Sequence, residues 1–393
     1  MRVKLPKIDF LLQMGILLMV LKVSFDSSLI LPYSDVMDTV LAVLAAGSLG
    51  LYTIRQSYPP QILTGYLIVG ILAMYCVLKT GNYGFLITVI LCMAIRKVPL
   101  DSVITHMFVY EAAFCVIHTC YSFLCWFFLK IPFWQNVYGV NRCSFGFVHP
   151  NMFSIYVFQL VLMWIWLEFE RIKKEHVALL AAFGVFMVSL TRTRTSFLDL
   201  LILCFLLLFV NKEQGKANKL LNLCARWITP FAAGVVLFLS VTFASGNPLS
   251  EIADRILNTR IRLGGYAYER YGMTLFGQNL SGMEVVWDPF WSINAHTFDN
   301  VYTAVAINYG AVWLLFICAA FYMLAKRQDP KINICLIMWA LYGVTEIHGL
   351  NAFLCFPVLL IVLLYSGNKE MEKKKEEKFD AGGQIIQGNF TDS

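Results

Sequence analysis

Apolar residues in this chain come in long unbroken blocks, and that arrangement leaves very few folds open to it. Phe197 to Val210 is interrupted only by Asp199, and Phe231 to Phe243 holds no charge at all. A block of this kind approaches the roughly 20 apolar residues that a helix needs to cross a bilayer. Inside a bilayer every backbone polar group must be satisfied internally, which permits only α-helices or a closed β-barrel. A barrel would show short segments alternating between apolar and polar residues, and these blocks do not alternate. With 59% of the 393 residues hydrophobic and 14% charged, the expected fold is an all-α polytopic membrane protein.

Marking the blocks gives about twelve spans, at 8–23, 36–54, 61–79, 82–95, 103–129, 150–168, 176–191, 195–211, 226–245, 301–325, 331–347 and 350–366. The stretches 82–95 and 176–191 are short enough to be half-spans. Arg2, Lys4 and Lys7 precede the first block in the manner of a signal peptide, but no small-x-small site precedes Asp26, so the block reads as an uncleaved span. With the N-terminus inside, the connections carrying Arg55, Arg96-Lys97, Arg171 to Lys174, Lys212 to Lys219 and Lys326 to Lys331 all fall in the cytoplasm, as does the tail. On this map the inner face has fifteen Lys and six Arg, and the outer face three Lys and seven Arg. Total charge follows the positive-inside tendency while residue type reverses. Arginine offers a planar fork of donors to two oxygens of a phosphate, whereas lysine is a hydrated point charge, so the reversal points to phosphate recognition outside. Snorkelling to lipid headgroups, or pairing with Glu251, Asp254 and Glu269, is the plainer explanation for any single outer arginine.

Thr191-Arg192-Thr193-Arg194-Thr195 sets two of those arginines in a very short outer break. On a regular helix the two side chains would project about 200° apart, so only an irregular turn could aim both at one ligand. The largest connection, 246–300, is expected to be a partly helical extracytoplasmic loop within a transmembrane domain of 1–366. Asn247-Pro248 signals a turn, and Ser250 is a plausible N-cap with Glu251 and Asp254 in the first turn. On that helix Arg255 and Arg262 would share a face while Arg260 points elsewhere. Tyr266, Tyr268, Tyr271, Trp287, Phe290 and Trp291 fit a loop that folds back on the membrane and binds something amphipathic or carbohydrate-like. The tail 367–393, with Lys373-Lys374-Lys375, has the composition of a disordered segment. No internal repeat and no pair of broken helices is visible.

Phosphate-binding Gly-x-x-x-x-Gly-Lys-Ser/Thr, His-Glu-x-x-His and Gly-x-Ser-x-Gly patterns are missing from the sequence. Nearly all of the eleven cysteines lie in apolar spans, Cys143 being the one best placed to reach an outer loop, which gives neither a disulfide framework nor a metal pattern. His149 and Asn151 flank Pro150 where an outer loop enters a span; they fit a helix cap as well as a ligand contact. His296, Asp299 and Asn300 close the large loop, where an imidazole can move a proton and its neighbours can orient it, or where the run simply caps the helix beginning near Val301. Glu111 and His118 can share one face of the fifth span, and Glu346 and His348 lie in the last outer loop.

In order and spacing, Gly146 to Asn151, Thr191 to Ser196, and Arg260 with Leu263-Gly264, Phe276-Gly277, Asp299-Asn300-x-Tyr302 and Gly310 make the chain resemble bacterial O-antigen and capsular polysaccharide polymerases of the Wzy type, relatives of the O-antigen ligases. The resemblance implies transfer of a glycan from a polyprenyl-diphosphate carrier to a sugar hydroxyl of a second carrier-linked unit, at the outer face of the bacterial cytoplasmic membrane. It implies no metal, nucleotide sugar or other cofactor, and no nucleic-acid partner; flippase and chain-length-regulator proteins are candidate partners beside the lipid bilayer. Carried onto this sequence, it gives Arg192 or Arg194, with Arg260, the donor diphosphate, and His296 the role of general base or acceptor-orienting group. Arg262 remains an alternative to Arg260, and Arg255 joins them in substrate binding. Asp299 and Asn300 would contact sugar or hold the loop, and His149 and Asn151 would line the entrance. A ligase of the same superfamily, or a lipid-linked oligosaccharide flippase, is the alternative reading.

Overall fold

The structure is a computed structural model describing residues 5–81, 83–137, 139–210, 218–280, 290–291 and 298–365. His296 and the Lys-rich tail therefore lie outside the described residues. The chain runs α1 (Phe10–Asp26), α2 (Asp35–Ile54), α3 (Pro60–Thr80), α4 (Gly84–Ala94), α5 (Leu100–Leu129), a hairpin of β1 (Trp134–Val137) and β2 (Val140–Cys143), then α6 (Pro150–Glu168), α7 (Lys174–Thr191), α8 (Arg194–Phe209) and α9 (Lys219–Phe243). Two short helices, α10 (Pro248–Ile256) and α11 (Arg260–Tyr271), precede α12 (Val301–Thr303), which continues as a π-helical turn to Tyr309. After α13 (Ala311–Ala325) and α14 (Pro330–Thr345), a 3₁₀ helix covers Phe356–Leu364.

Among the described residues six helices are long and apolar enough to cross a membrane: α2, α3, α5, α6 with its extension to Arg171, α7 and α9. Their outward faces carry large apolar side chains, among them Ile54, Leu78, Leu179, Phe128 and Phe231, all of them exposed. Such a surface is stable only in an apolar solvent, so the chain is an all-α membrane protein. The 30 residues of α5 make it roughly 45 Å long, more than a hydrocarbon core about 30 Å thick. Its last turns present Trp126, Phe127 and Phe128, where an interfacial aromatic belt would sit.

Polar residues start the helices. Ser34 accepts from the Met37 amide at α2, Asn218 from Leu221 at α9, and Asp329 from Lys331 and Ile332 at α14. The centre is α6, of whose membrane-length window 61% is buried, against 11% for α3 at the rim. Around α6 stand α5 and α8, while α9 carries α11, α13 and α14. Packed against α4, α13 and α14 lies the 3₁₀ segment, with Phe356 to Val362 buried without exception.

Four features depart from the reading by periodicity. A β-hairpin occupies the connection after α5, with Trp134 opposite Cys143. Asn247, not Ser250, caps α10, and Ser250 is buried with its hydroxyl 2.8 Å from that of Thr242. Where 350–366 was expected to be one helix, turns lead into the 3₁₀ segment. Finally, 301–325 is a broken helix. At Gly310, φ is +109°, and a Cβ there would stand 2.4 Å from the Leu275 carbonyl oxygen. Broken backbone in an apolar setting must find other partners. The strap 272–280 supplies them: Thr274 and Leu275 carbonyls accept from the Ala311 and Val312 amides, and Gln278 donates to the Asn308 and Ile307 carbonyls through its backbone and side-chain amides.

Candidate functional site

Helix α7 ends at Thr191, and Arg192 closes it in the left-handed conformation, φ 56°. Thr193 is extended, and α8 starts at Arg194. Thr191 and Thr193 are both buried, their hydroxyls 2.7 Å apart, and Thr193 reaches the Ser154 hydroxyl of α6 at 2.7 Å. Arg192 and Arg194 are both exposed. The opposition expected of a regular helix is thus removed by the break, and two guanidinium groups stand on the outer side of one turn. Among the described residues neither side chain has a hydrogen bond or an ion pair. Beneath the turn an apolar groove runs between α6, α7 and α8, lined by Ser154, Phe158, Phe183, Met187, Thr193 and Leu200.

Arg260 is built differently. Asn258 and Thr259 both have positive φ, 52° and 73°, which ends α10 and restarts the chain as α11 with Arg260 as its first residue. The side chain is buried. Its Nε donates to the Thr345 carbonyl at 2.8 Å and to that of Asp299 at 3.2 Å, and Nη1 donates to Leu257 at 3.1 Å. Nη2 faces Glu346 at 3.9 Å. One guanidinium therefore ties α11 to the end of α14 and to the return of the large loop. Asp199 of α8 is also within its electrostatic reach.

The same break separates Arg255 from Arg262, correcting the expectation that they share one helical face. Exposed Arg255 lies 3.9 Å from Glu251 on α10. Arg262 lies 3.6 Å from Asp254, whose other oxygen accepts the Arg262 amide at 2.8 Å. Burial raises the Asp254 carboxyl above the usual range, and the Arg262 contacts oppose that.

His149 caps α6, with Nδ1 accepting from the Asn151 amide at 3.1 Å. Burial lowers its pKa, Arg142 of β2 lowers it further and Asp299 acts the other way. This hairpin is therefore beside the loop's return. Asn300 caps α12: its Oδ1 accepts from the amide and the hydroxyl of Thr303, at 2.8 and 2.9 Å. Capping is thus the visible work of both His149 and Asn300.

One end of the bundle gathers His149, Asn151, the 191–195 turn, Arg260, Asp299, Asn300 and Glu346, through the Ser154–Thr193 bond and the Arg260 bonds. Arg255 and Arg262 sit alongside on α10 and α11, each with its own acid. His118 is held in structure, its Nε2 2.8 Å from the Ser28 hydroxyl, and Glu111 faces inward with both oxygens unpartnered among the described residues. Motif reading passed over Asp199 and Tyr342. Tyr342 is buried on α14, stacked on Phe158, with a hydroxyl lacking any partner among the described residues. Asp199 carried a readable signal as the lone acid in an apolar block. Tyr342 carried none. Among the described residues no group of His, Cys, Asp and Glu could hold a metal ion.

Compared with protein families, with curated proteins and with solved structures, the chain finds no match.

Proposed function

We propose that this chain is a Wzy-type polysaccharide polymerase of the bacterial cytoplasmic membrane, joining polyprenyl-diphosphate-linked oligosaccharide units at the outer face. In this reading the chain crosses the membrane about twelve times, with both termini in the cytoplasm and the arginine-rich end outside. The observation that carries it is the turn at 191–195: two exposed guanidinium groups without partners among the described residues, directly above an apolar groove. A polar anionic head on a long apolar tail has that distribution of charge. Phosphate is the anion that two planar forks suit best.

Arg192 and Arg194 hold the donor diphosphate and stabilise the charge that develops on it as the anomeric C–O bond breaks. Arg260, engaged with three carbonyl oxygens, adds its positive field and fixes the relation between loop and bundle. His296 orients the acceptor or takes its proton, with Asp299 and Asn300 holding the return of the loop beside it. His149 and Asn151 line the approach, and Arg255 and Arg262 extend the basic surface along α10 and α11.

The test is purified protein in detergent with two lipid-linked units, scored by glycan length. Elongation by wild type, reduced on single replacement of Arg192, Arg194, Arg260 or His296 by Ala at unchanged abundance, supports the proposal. Unchanged glycan length with movement of the lipid across vesicles would make the chain a transporter. Transfer only to a different lipid or protein acceptor would make it a ligase.

A further inference from the structure

Behind Arg260 lies a buried set of polar groups, of which Glu346, Tyr342 and Asp199 have no part in the reading above. Glu346, just past the last turn of α14, has Oε1 3.9 Å from Arg260 Nη2 and no hydrogen bond to that oxygen among the described residues. The neighbouring charges come from every side: Arg260 from α11, Asp199 from α8, and Asp299 from the loop return. The Tyr342 ring is one turn back on α14, near both acids, with Cys355 close to it and to Asp199. The Tyr342 hydroxyl and the Asn300 Nδ2, on residues 2% and 1% exposed, lack partners among the described residues.

Two physical facts bear on this set. Native proteins rarely leave buried donors and acceptors unpaired, so unpaired groups on neighbouring elements mark where a ligand or water belongs. A phenol, an amide and a carboxylate are the groups that recognise sugar hydroxyls. Secondly, one guanidinium faces more than one carboxylate, so it cannot neutralise them all, and such a cluster holds a proton readily. Burial pushes the Glu346 carboxyl up to about 8, with Asp199 and Asp299 adding to the rise and Arg260 opposing it.

We propose that Glu346 is the proton acceptor for the attacking sugar hydroxyl, and that the Tyr342 hydroxyl and the Asn300 amide seat the acceptor sugar beside it. The inference rests on the polymerase reading. The acceptor O–H proton passes to the Glu346 carboxylate as the hydroxyl oxygen bonds to the donor's anomeric carbon. The bond from that carbon to the phosphate oxygen breaks, its electron pair leaves on the lipid diphosphate, and Glu346 then releases its proton to solvent. Asp199 is a positioning residue: its charge sets the proton affinity of Glu346 through the shared guanidinium.

The experiment measures initial rates of elongation against pH for wild type, Glu346→Gln, Glu346→Asp, Tyr342→Phe and Asp199→Asn, with donor binding followed separately on the lipid-linked unit. Because the base acts deprotonated, the wild-type rate should climb as pH rises through the Glu346 ionisation and then level. Glu346→Gln should lower turnover by about 100-fold or more and abolish that climb, with donor binding kept. Asp should restore part of the rate. Tyr342→Phe should raise KM for the acceptor with little change for the donor, and Asp199→Asn should shift the climb to lower pH. Should Glu346→Gln fail to fold, the Tyr342→Phe and Asp199→Asn readings decide. Elongation by Glu346→Gln at the wild-type rate and pH profile overturns the inference and leaves the polymerase reading intact. No elongation by wild type overturns both.

Discussion

Threonine and arginine divide the labour in the turn at 191–195. Thr191 and Thr193 fasten it to α6 through Ser154, and that fastening leaves Arg192 and Arg194 facing out. Replacing Thr193 by Val keeps the shape but removes its hydrogen bonds to the Thr191 and Ser154 hydroxyls, which are left with the Met187 and Pro150 carbonyls, a cost of roughly 1–3 kcal/mol for the two bonds. Thermal unfolding in detergent should show a lower Tm for Thr193→Val; an unchanged Tm would mean that the hydroxyl chain contributes nothing. Arg192→Lys and Arg194→Lys pose a different question, since each keeps the charge and loses the fork. Under the proposed diphosphate role each should lower polymer output about 10-fold or more at constant membrane abundance. Output equal to wild type would show that point charge suffices and remove the argument from residue type. The charge of this turn was plain in the sequence. Its geometry was not, because a left-handed arginine closing a helix has no residue signature, and the arithmetic of a regular helix put the two side chains on opposite sides.

Among the elements, the break at Gly310 sets the shape of the loop. The strap 272–280 reaches the break and satisfies its exposed carbonyls and amides, while Phe276 packs edge-on against Tyr75 of α3. Gly277 and Gly310 approach so closely that a Cβ on either would meet backbone at 2.4 Å. Gly310→Ala should therefore displace the strap and reduce folded yield strongly, since the clash adds to a backbone conformation costing about 1–3 kcal/mol for other residues. Gln278→Ala removes two side-chain bonds and should be milder, about 1 kcal/mol for each. Size-exclusion profiles and thermal unfolding of the two variants would rank them, and the opposite ranking would argue against the strap as a backbone clamp. Apolar blocks located α2, α6 and α7 to within two residues, because block length and capping residues are both local signals. The break at 310, the split between α10 and α11 and the hairpin after α5 escaped notice. Each depends on a partner distant in sequence or on backbone conformations adopted by non-glycine residues, as at Asn258 and Thr259.

At the scale of the molecule, the two ends differ in chemistry. One carries Lys97 on Ser57, Arg171 beside Glu168 and Lys331 beside Asp101; the other carries the arginine turn and the buried Arg260 cluster. The proposed orientation predicts that reporters fused after residues 172 or 328 are cytoplasmic and those fused after 193 or 246 are external. A reversed pattern would place the arginines where no outer-face polymerase could use them. The segment Phe356–Leu364, buried from Phe356 to Val362, has a further consequence, for biogenesis. Its backbone amide at Phe356 donates to Gln159 of α6, its ring meets Trp166, and it touches α4, α13 and α14, so it joins early and late parts of the chain. It is also the last described element to leave the ribosome. Until it arrives, the helices already inserted surround a slot that only lipid tails can fill. The packing of this segment is thus a late step that cannot be moved earlier, and a chain stalled before Phe356 should be inserted yet remain a target for membrane quality control.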